Sequence, residues 1–454
     1  MVGVALCLVA AGALVRASRS ARTASGAGGR CAAQNGQAPA TPSGANIGLR
    51  AWTVFQASPA HNLILPATLA GGRPLSVSWK FHTNGEISTA PSVVDGVAYF
   101  GSSDQCVYAV DVATGREVWA FRTANMVMSE PLVVGGRIFV GSGNKTVVST
   151  PAGVLRGTGP SGVYALDAST GRLLWHFSTP GEVMATLLYQ NGAVYAATGN
   201  STFYALDAAS GRLLWQVRDG SIDSMSSVAA AGNTAIFGGA DPYAALGVNL
   251  ATHQIAWRTP LGKGTPWGAE GGIDDVSPAV SGNVTYIQNP EGVFPQATVV
   301  EFALNATTGR IMWQTELGKG TITVSDREET GVATVVNGTL YVGTPSVSGL
   351  WALNASNGSP LWKAPVPLGL RATPTVTSQY IYAAGSGWVY VLNRLTGALT
   401  QAVHLSTPPT VLSCASPPVT IVGQTALVLG QNADTLMAIP LSELTNGTAT
   451  SAAA

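Results

Sequence analysis

Residues Val163–Trp175, VYALDASTGRLLW, decide the fold. The phrase returns as Val107–Trp119 (VYAVDVATGREVW), Phe203–Trp215 (FYALDAASGRLLW), Phe302–Trp313 (FALNATTGRIMW) and Trp351–Trp362 (WALNASNGSPLW). Weaker copies occupy Gly247–Trp257 (GVNLATHQIAW) and Val389–Gln401 (VYVLNRLTGALTQ). The closing tryptophan slot falls at positions 79, 119, 175, 215, 257, 313, 362 and 401, the last filled by Gln401. A period near 40 residues with insertions signals a solenoid or a propeller.

The chemistry of the phrase favours the propeller. Alternating Val107 and Ala109 make a strand, Asp111 can bond the backbone of the following turn, Gly115 suits a positive φ, and a second strand ends in Trp119. Upstream, Pro91–Gly101 (PSVVDGVAYFG) reads as two more strands joined by an Asp-Gly hairpin. Each period therefore supplies four short antiparallel strands, and a ring of such sheets buries both faces of every sheet. The last copy lacks its tryptophan strand, which residues 75–82 (LSVSWKFH) can provide. The prediction is an all-β, eight-bladed β-propeller over residues 48–445, closed by an N-terminal strand, with 1–47 as leader plus linker and 446–454 as tail. The segment Ala51–Asn62 is expected to pack across the closure, and the tryptophans to fill the spaces between blades.

Composition narrows the function. Of 454 residues, 10% are charged, against about a quarter in an ordinary soluble domain. The 23 basic and 23 acidic residues cancel, which removes the field that nucleic-acid or anionic-membrane binding requires. The apolar run Val2–Val15 resembles a signal-peptide core, so an extracytoplasmic location is expected, and later apolar runs are too short to span a bilayer as helices. Cys31, Cys106 and Cys414 remain after such a leader, with no spacing that reads as a disulfide framework or a zinc site. Their redox state stays open at this level.

The repeated phrase is similar to the signature of the pyrroloquinoline-quinone (PQQ)-like β-propeller repeat, over about 390 residues. That family includes quinoprotein alcohol dehydrogenases, an outer-membrane assembly scaffold and acid-active tetrathionate hydrolases. The resemblance to the dehydrogenases implies PQQ and calcium, with Arg156 in Gly153–Gly157 and Asn200 in Thr198-Gly199-Asn200 as cofactor-binding residues and Asp223 as the catalytic aspartate. Departures accompany it. Ala152 stands where a calcium-binding glutamate belongs, Ile222 replaces a tryptophan, and there is no adjacent cysteine pair. Calcium would find only Asn200 and Asp223, a poor oxygen set.

The repeat register suggests a second constellation. Aligning innermost strands on Pro91, Pro131, Leu187, Ser226, Pro278, Val332, Pro374 and Pro417 places Ser88, Met128, Met184, Asp223, Asp275, Glu329, Arg371 and Cys414 around one channel mouth. Asp223, Asp275 and Glu329 are the candidate catalytic acids, because clustered carboxyls in a partly dry funnel have raised pKa values suited to acid–base work. Arg371 can hold an anion bidentately, with Glu130 and Trp267 as further substrate-binding candidates. Three readings follow: a quinoprotein-like oxidoreductase, a cofactor-free hydrolase of a small anion resembling tetrathionate hydrolase in an acidic environment, and a non-catalytic scaffold for an envelope protein complex. The low charge count suits the second, since acid removes native carboxylate interactions.

Overall fold

The computed structural model of the chain describes residues 31, 77–144, 146–150, 153–223, 225–239, 244–261, 277–293, 296–321, 332–344, 347, 349–366, 373–385, 388–405, 418–430 and 434–445. The leader, the segment Ala51–Asn62 and the tail fall outside them, apart from Cys31.

Eight four-stranded antiparallel sheets form a ring. In blade one the strands run Ser92–Val94, Val97–Gly101, Cys106–Asp111 and Glu117–Arg122, from the axis outward. The other blades repeat this order, and the eighth takes its outer strand, Trp79–His82, from the N-terminal side, paired with Thr435–Pro440. Closure through both ends of the chain matches the sequence reading. Blade two carries an added hairpin, Val147–Thr150 with Gly153–Arg156, inserted before its third strand. The one helix among the described residues is the short Leu441–Thr445.

Alternation along each strand sends apolar side chains to both faces, so the cores lie between neighbouring blades. Leu188, Phe203, Phe237 and Leu246, for example, form one such core between blades three and four. Two side-chain devices fix the spacing of blades. At the outer edge, each tryptophan indole docks on the next blade: Trp119 Nε1–H donates to Ala168 O at 2.9 Å, Trp175 to Ala208 O at 3.1 Å and Trp257 to Ala306 O at 3.0 Å. The indole covers the turn glycine of that blade. A Cβ on Gly211, whose φ is 72°, would lie 2.5 Å from the Trp175 ring. Blade four departs from this pattern. His253 fills the glycine position at φ 60° and stacks on Trp215 with ring centroids 4.6 Å apart.

At the inner edge, backbone amides and small hydroxyls link blade to blade. Glu130 N–H donates to Thr186 Oγ1 (3.1 Å), Thr186 N–H to Ser227 Oγ (3.1 Å), and Ser227 N–H to Ser277 Oγ (2.8 Å). These neutral bonds satisfy buried amides without charge, which explains how a charge-poor chain can close a ring. Cys31 forms a disulfide with Cys106, which the sequence reading left open, and the N-terminal segment is thereby tied to blade one.

Candidate active site

The innermost strands start at Ser92, Leu132, Leu188, Ala229, Ala279, Thr334, Thr375 and Thr420. Four residues before each start stand Ser88, Met128, Met184, Met225, Asp275, Thr330, Arg371 and Ser416. This register differs from the alignment on Ser226, Val332 and Pro417 by two, one and two residues. Blade four has a longer entry loop and no proline to mark its strand, and the Thr186–Ser227 bond fixes the pairing that sequence punctuation does not. The ring position there belongs to Met225, with Asp223 two residues upstream.

Met128, Met184 and Met225 pack against one another as a separate cluster, 3%, 2% and 6% exposed. Ser88 and Asp223 are also buried. The ring is therefore lined by enclosed side chains on this side. Asp275, Glu329, Arg371 and Trp267 lie outside the described residues.

Arg156 comes to the same place on the added hairpin of blade two. Its side chain is 2% exposed, its Nε lies 2.9 Å from Glu182 Oε1, and its Nη2 lies 3.9 Å from Met225 Sδ. The backbone holds this approach: Arg156 N–H donates to Gly199 O (2.8 Å), and Glu182 N–H to Arg156 O (3.0 Å). Burial of an ion pair demands such support, because both charges leave water.

Asp223 and Asp219 form a second buried group. Their carboxyls lie close enough to affect one another's protonation, and Ser221 N–H donates to Asp219 Oδ1 at 3.0 Å. Burial raises the Asp219 carboxyl to about 6, partly countered by the neighbouring Asp223 side chain and by Arg258, whose Nη1 donates to Ser221 Oγ at 2.8 Å. Burial of two neighbouring carboxyls disfavours charging both, so they titrate as a pair. A Cβ on Gly239 would sit 2.8 Å from Asp223 Oδ1, and glycine there leaves the room the loop needs.

Two other sequence candidates have local roles. Glu130 is fully buried between blades one and two, where its amide joins the inner hydroxyl chain and Ser92 Oγ lies 3.5 Å from Oε1. Asn200 is engaged within its own turn. Its Oδ1 accepts from Thr198 Oγ1, and its Nδ2 donates to Thr202 Oγ1 (3.3 Å) and Tyr204 Oη (3.1 Å). With the Asn200 carboxamide so engaged, Arg156 paired to Glu182 and Asp223 buried beside Asp219, these residues do not fit a PQQ–calcium cradle.

Sequence reading missed Glu182 and Asp219, and of the methionine trio it placed Met128 and Met184 at the mouth but not Met225. Glu182 was findable, because it occupies the position of Asp223, six residues before its strand. The trio needed the corrected register.

Comparison with known proteins is consistent with this architecture. A family model described as outer membrane protein assembly factor BamB matches residues 152–301 and 296–443, and a model of the glucose/ethanol/alcohol dehydrogenase β-propeller domain matches residues 73–186. Tetrathionate hydrolase of Acidithiobacillus ferrooxidans is 31% identical over 461 aligned positions, covering 89% of each chain. The assembly factor BamB of Yersinia pestis is 27% identical over 180 residues, 39% of this chain and 42% of that protein. Among solved structures, a quinohemoprotein alcohol dehydrogenase from Pseudomonas putida superposes with TM-score 0.62 at 13% identity, covering 89% of this chain and 82% of that one. BamB from Moraxella catarrhalis superposes with TM-score 0.59 at 18% identity, covering 81% and 99%. At such identities the structural likeness speaks for the fold alone.

Proposed function

This chain belongs to the PQQ-like β-propeller family, and we propose that within it the protein is a cofactor-independent hydrolase of a polythionate dianion, working in an acidic extracytoplasmic compartment. The observation that carries the reading is the 31% identity to tetrathionate hydrolase over 89% of both chains. The site supports it in part through what the dehydrogenase chemistry lacks, since Asn200 is committed to its own turn. The Cys31–Cys106 disulfide suits an oxidising compartment, and no helix among the described residues is long and apolar enough to cross a membrane.

The reaction class is attack of water on a terminal sulfonate sulfur. An O–S bond forms, the adjacent S–S bond breaks, and the products are hydrogen sulfate and a disulfane monosulfonate. Asp223, Asp275 and Glu329 are the proposed acid–base carboxyls that take the proton from water and return one to the leaving sulfur. Arg371 is the proposed clamp on a sulfonate, with Trp267 as a wall of the mouth and Glu130 holding the strand edge beside it.

Purified protein given tetrathionate at acidic pH without added cofactor should release sulfate, measured by ion chromatography, with thiosulfate and elemental sulfur appearing as the disulfane monosulfonate loses its terminal sulfur atom. Asp275→Asn, Glu329→Gln and Asp223→Asn should each be compared, and unchanged turnover in all three removes this site. No turnover, with dye reduction appearing after PQQ and calcium loading, would reverse the reading in favour of the dehydrogenase. Silence in both assays favours the scaffold.

A further inference from the structure

We propose that Met128, Met184 and Met225, bordered by the Arg156 guanidinium, form the subsite that receives the sulfane-sulfur chain of the substrate and one of its sulfonates. The proposal rests on the hydrolase reading above and names what that site recognises.

Three observations support it. Methionine is scarce, 7 in 454 residues, yet three occupy the same ring position on three consecutive blades. They do not join the cores between blades but make a cluster of their own, almost wholly enclosed. Leucine, isoleucine, valine and alanine dominate the inter-blade cores, so an apolar plug alone did not require thioethers. The third observation is the buried cation. The extra hairpin of blade two carries Arg156 inward until its Nη2 lies 3.9 Å from the Met225 sulfur, with Glu182 holding its Nε. The hairpin thus sets a guanidinium edge against a patch of sulfur.

A polythionate asks for this combination. Its ends are anionic sulfonates, which a guanidinium fork recognises through paired N–H donors. Its middle is a run of divalent sulfurs that are polarisable and poor hydrogen-bond acceptors. Hydroxyls or amides would leave their own polar groups unsatisfied against such a chain. Thioethers meet it by dispersion, and the unbranched methionine side chain, with three rotatable bonds, can part around a guest and close on it.

The test uses the full-length protein with Leu replacing each methionine, singly and together, since Leu keeps volume and apolarity but removes the sulfur. Steady-state kinetics are compared for trithionate, tetrathionate and pentathionate, which carry increasing numbers of sulfane sulfurs. The triple variant should unfold within a few degrees of the parent and keep kcat within about twofold, while KM for tetrathionate rises roughly 3–10-fold. The rise should be smallest for trithionate and largest for pentathionate, a gradient that a purely structural role would not produce. Arg156→Lys should weaken all three substrates alike. Turnover by the parent with an unchanged chain-length preference in the triple variant overturns the subsite and leaves the hydrolase reading standing. Absence of turnover by the parent overturns the hydrolase reading. Calorimetric titration of the parent with tetrathionate then decides the subsite separately, and no binding, or binding unaffected by the triple substitution, overturns it.

Discussion

Replacing Glu301 by Gln should flatten the fall in stability between pH 4.5 and about 8. Glu301 lies on Gln296–Asn305 of blade five, on the face whose neighbours Val299 and Ala303 pack against Leu340 and Val342 of blade six. It is fully buried. The Gln288 carboxamide is beside it, but no hydrogen bond of normal geometry reaches either carboxyl oxygen among the described residues. Burial therefore pushes the carboxyl from 4.5 up to about 8, and Gln288 only partly opposes this. A carboxyl raised on folding keeps its proton where the unfolded chain gives its proton up. Its stabilisation is complete below the unfolded value, declines as pH rises, and is fully lost once pH passes the folded value. At about 1.4 kcal/mol per unit, the whole loss is about 5 kcal/mol, of which about 3 kcal/mol falls between pH 4 and pH 7. Asp219, raised to about 6, adds a smaller loss of the same sign. Denaturant unfolding of the parent and of Glu301→Gln at several pH values from 4 to 9 measures the difference. The parent should weaken steadily with pH, while the variant, neutral throughout and close in shape, should retain only the shares of Asp219 and of Glu117, whose carboxyl burial also raises. Parallel curves for the two proteins would refute the assignment of the slope to this carboxyl.

Other consequences are open to simpler measurement. Gly211→Ala places a Cβ 2.5 Å from the Trp175 ring at a φ of 72°, and should cost roughly 1–3 kcal/mol in denaturant unfolding through overpacking and backbone strain. Cys31→Ser opens a loop closed across 75 residues and should lower stability by about 4 kcal/mol in the chain-entropy model, an effect that reducing agent should reproduce in the parent and not in the variant. Glu182→Ala strands the buried Arg156 charge and should cost about 3–5 kcal/mol, whereas the double variant with Arg156→Met should recover much of that loss. A double-mutant cycle showing simple additivity would contradict the pairing.

The fold was legible because its determinants are local and repeated. The turn residues Asp111, Asp167 and Asp207, the turn glycines and the tryptophan slots recur at fixed offsets, and each does in the structure what its chemistry suggests. Asp167 Oδ1, for instance, accepts from the Ser169 and Thr170 hydroxyls (2.7 and 2.9 Å) and then from their N–H groups (3.1 and 2.9 Å), which holds its pKa below the usual carboxylate range. The site was legible only in outline. Arg156 and Asp223 were identified as residues of interest, but their partners Glu182 and Asp219 were not, because such pairings depend on how adjacent blades and an inserted hairpin meet. The placement of Asp223 in the ring came from an alignment that a longer loop had shifted by two residues, enough to exchange a methionine for an aspartate.

By itself the sequence determined a closed ring of eight four-stranded blades, since a periodic strand pattern with no other way to bury two faces leaves few architectures. It also determined a surface poor in charge. The tertiary structure decided which side chains meet at the axis. Those contacts join residues 41 to 97 positions apart, from Met128 to Met225 and from Met184 to Met225, and no local pattern encodes them. It likewise decided the Cys31–Cys106 bond and the burial of Glu301, because desolvation depends on what the neighbouring blade lays over a residue.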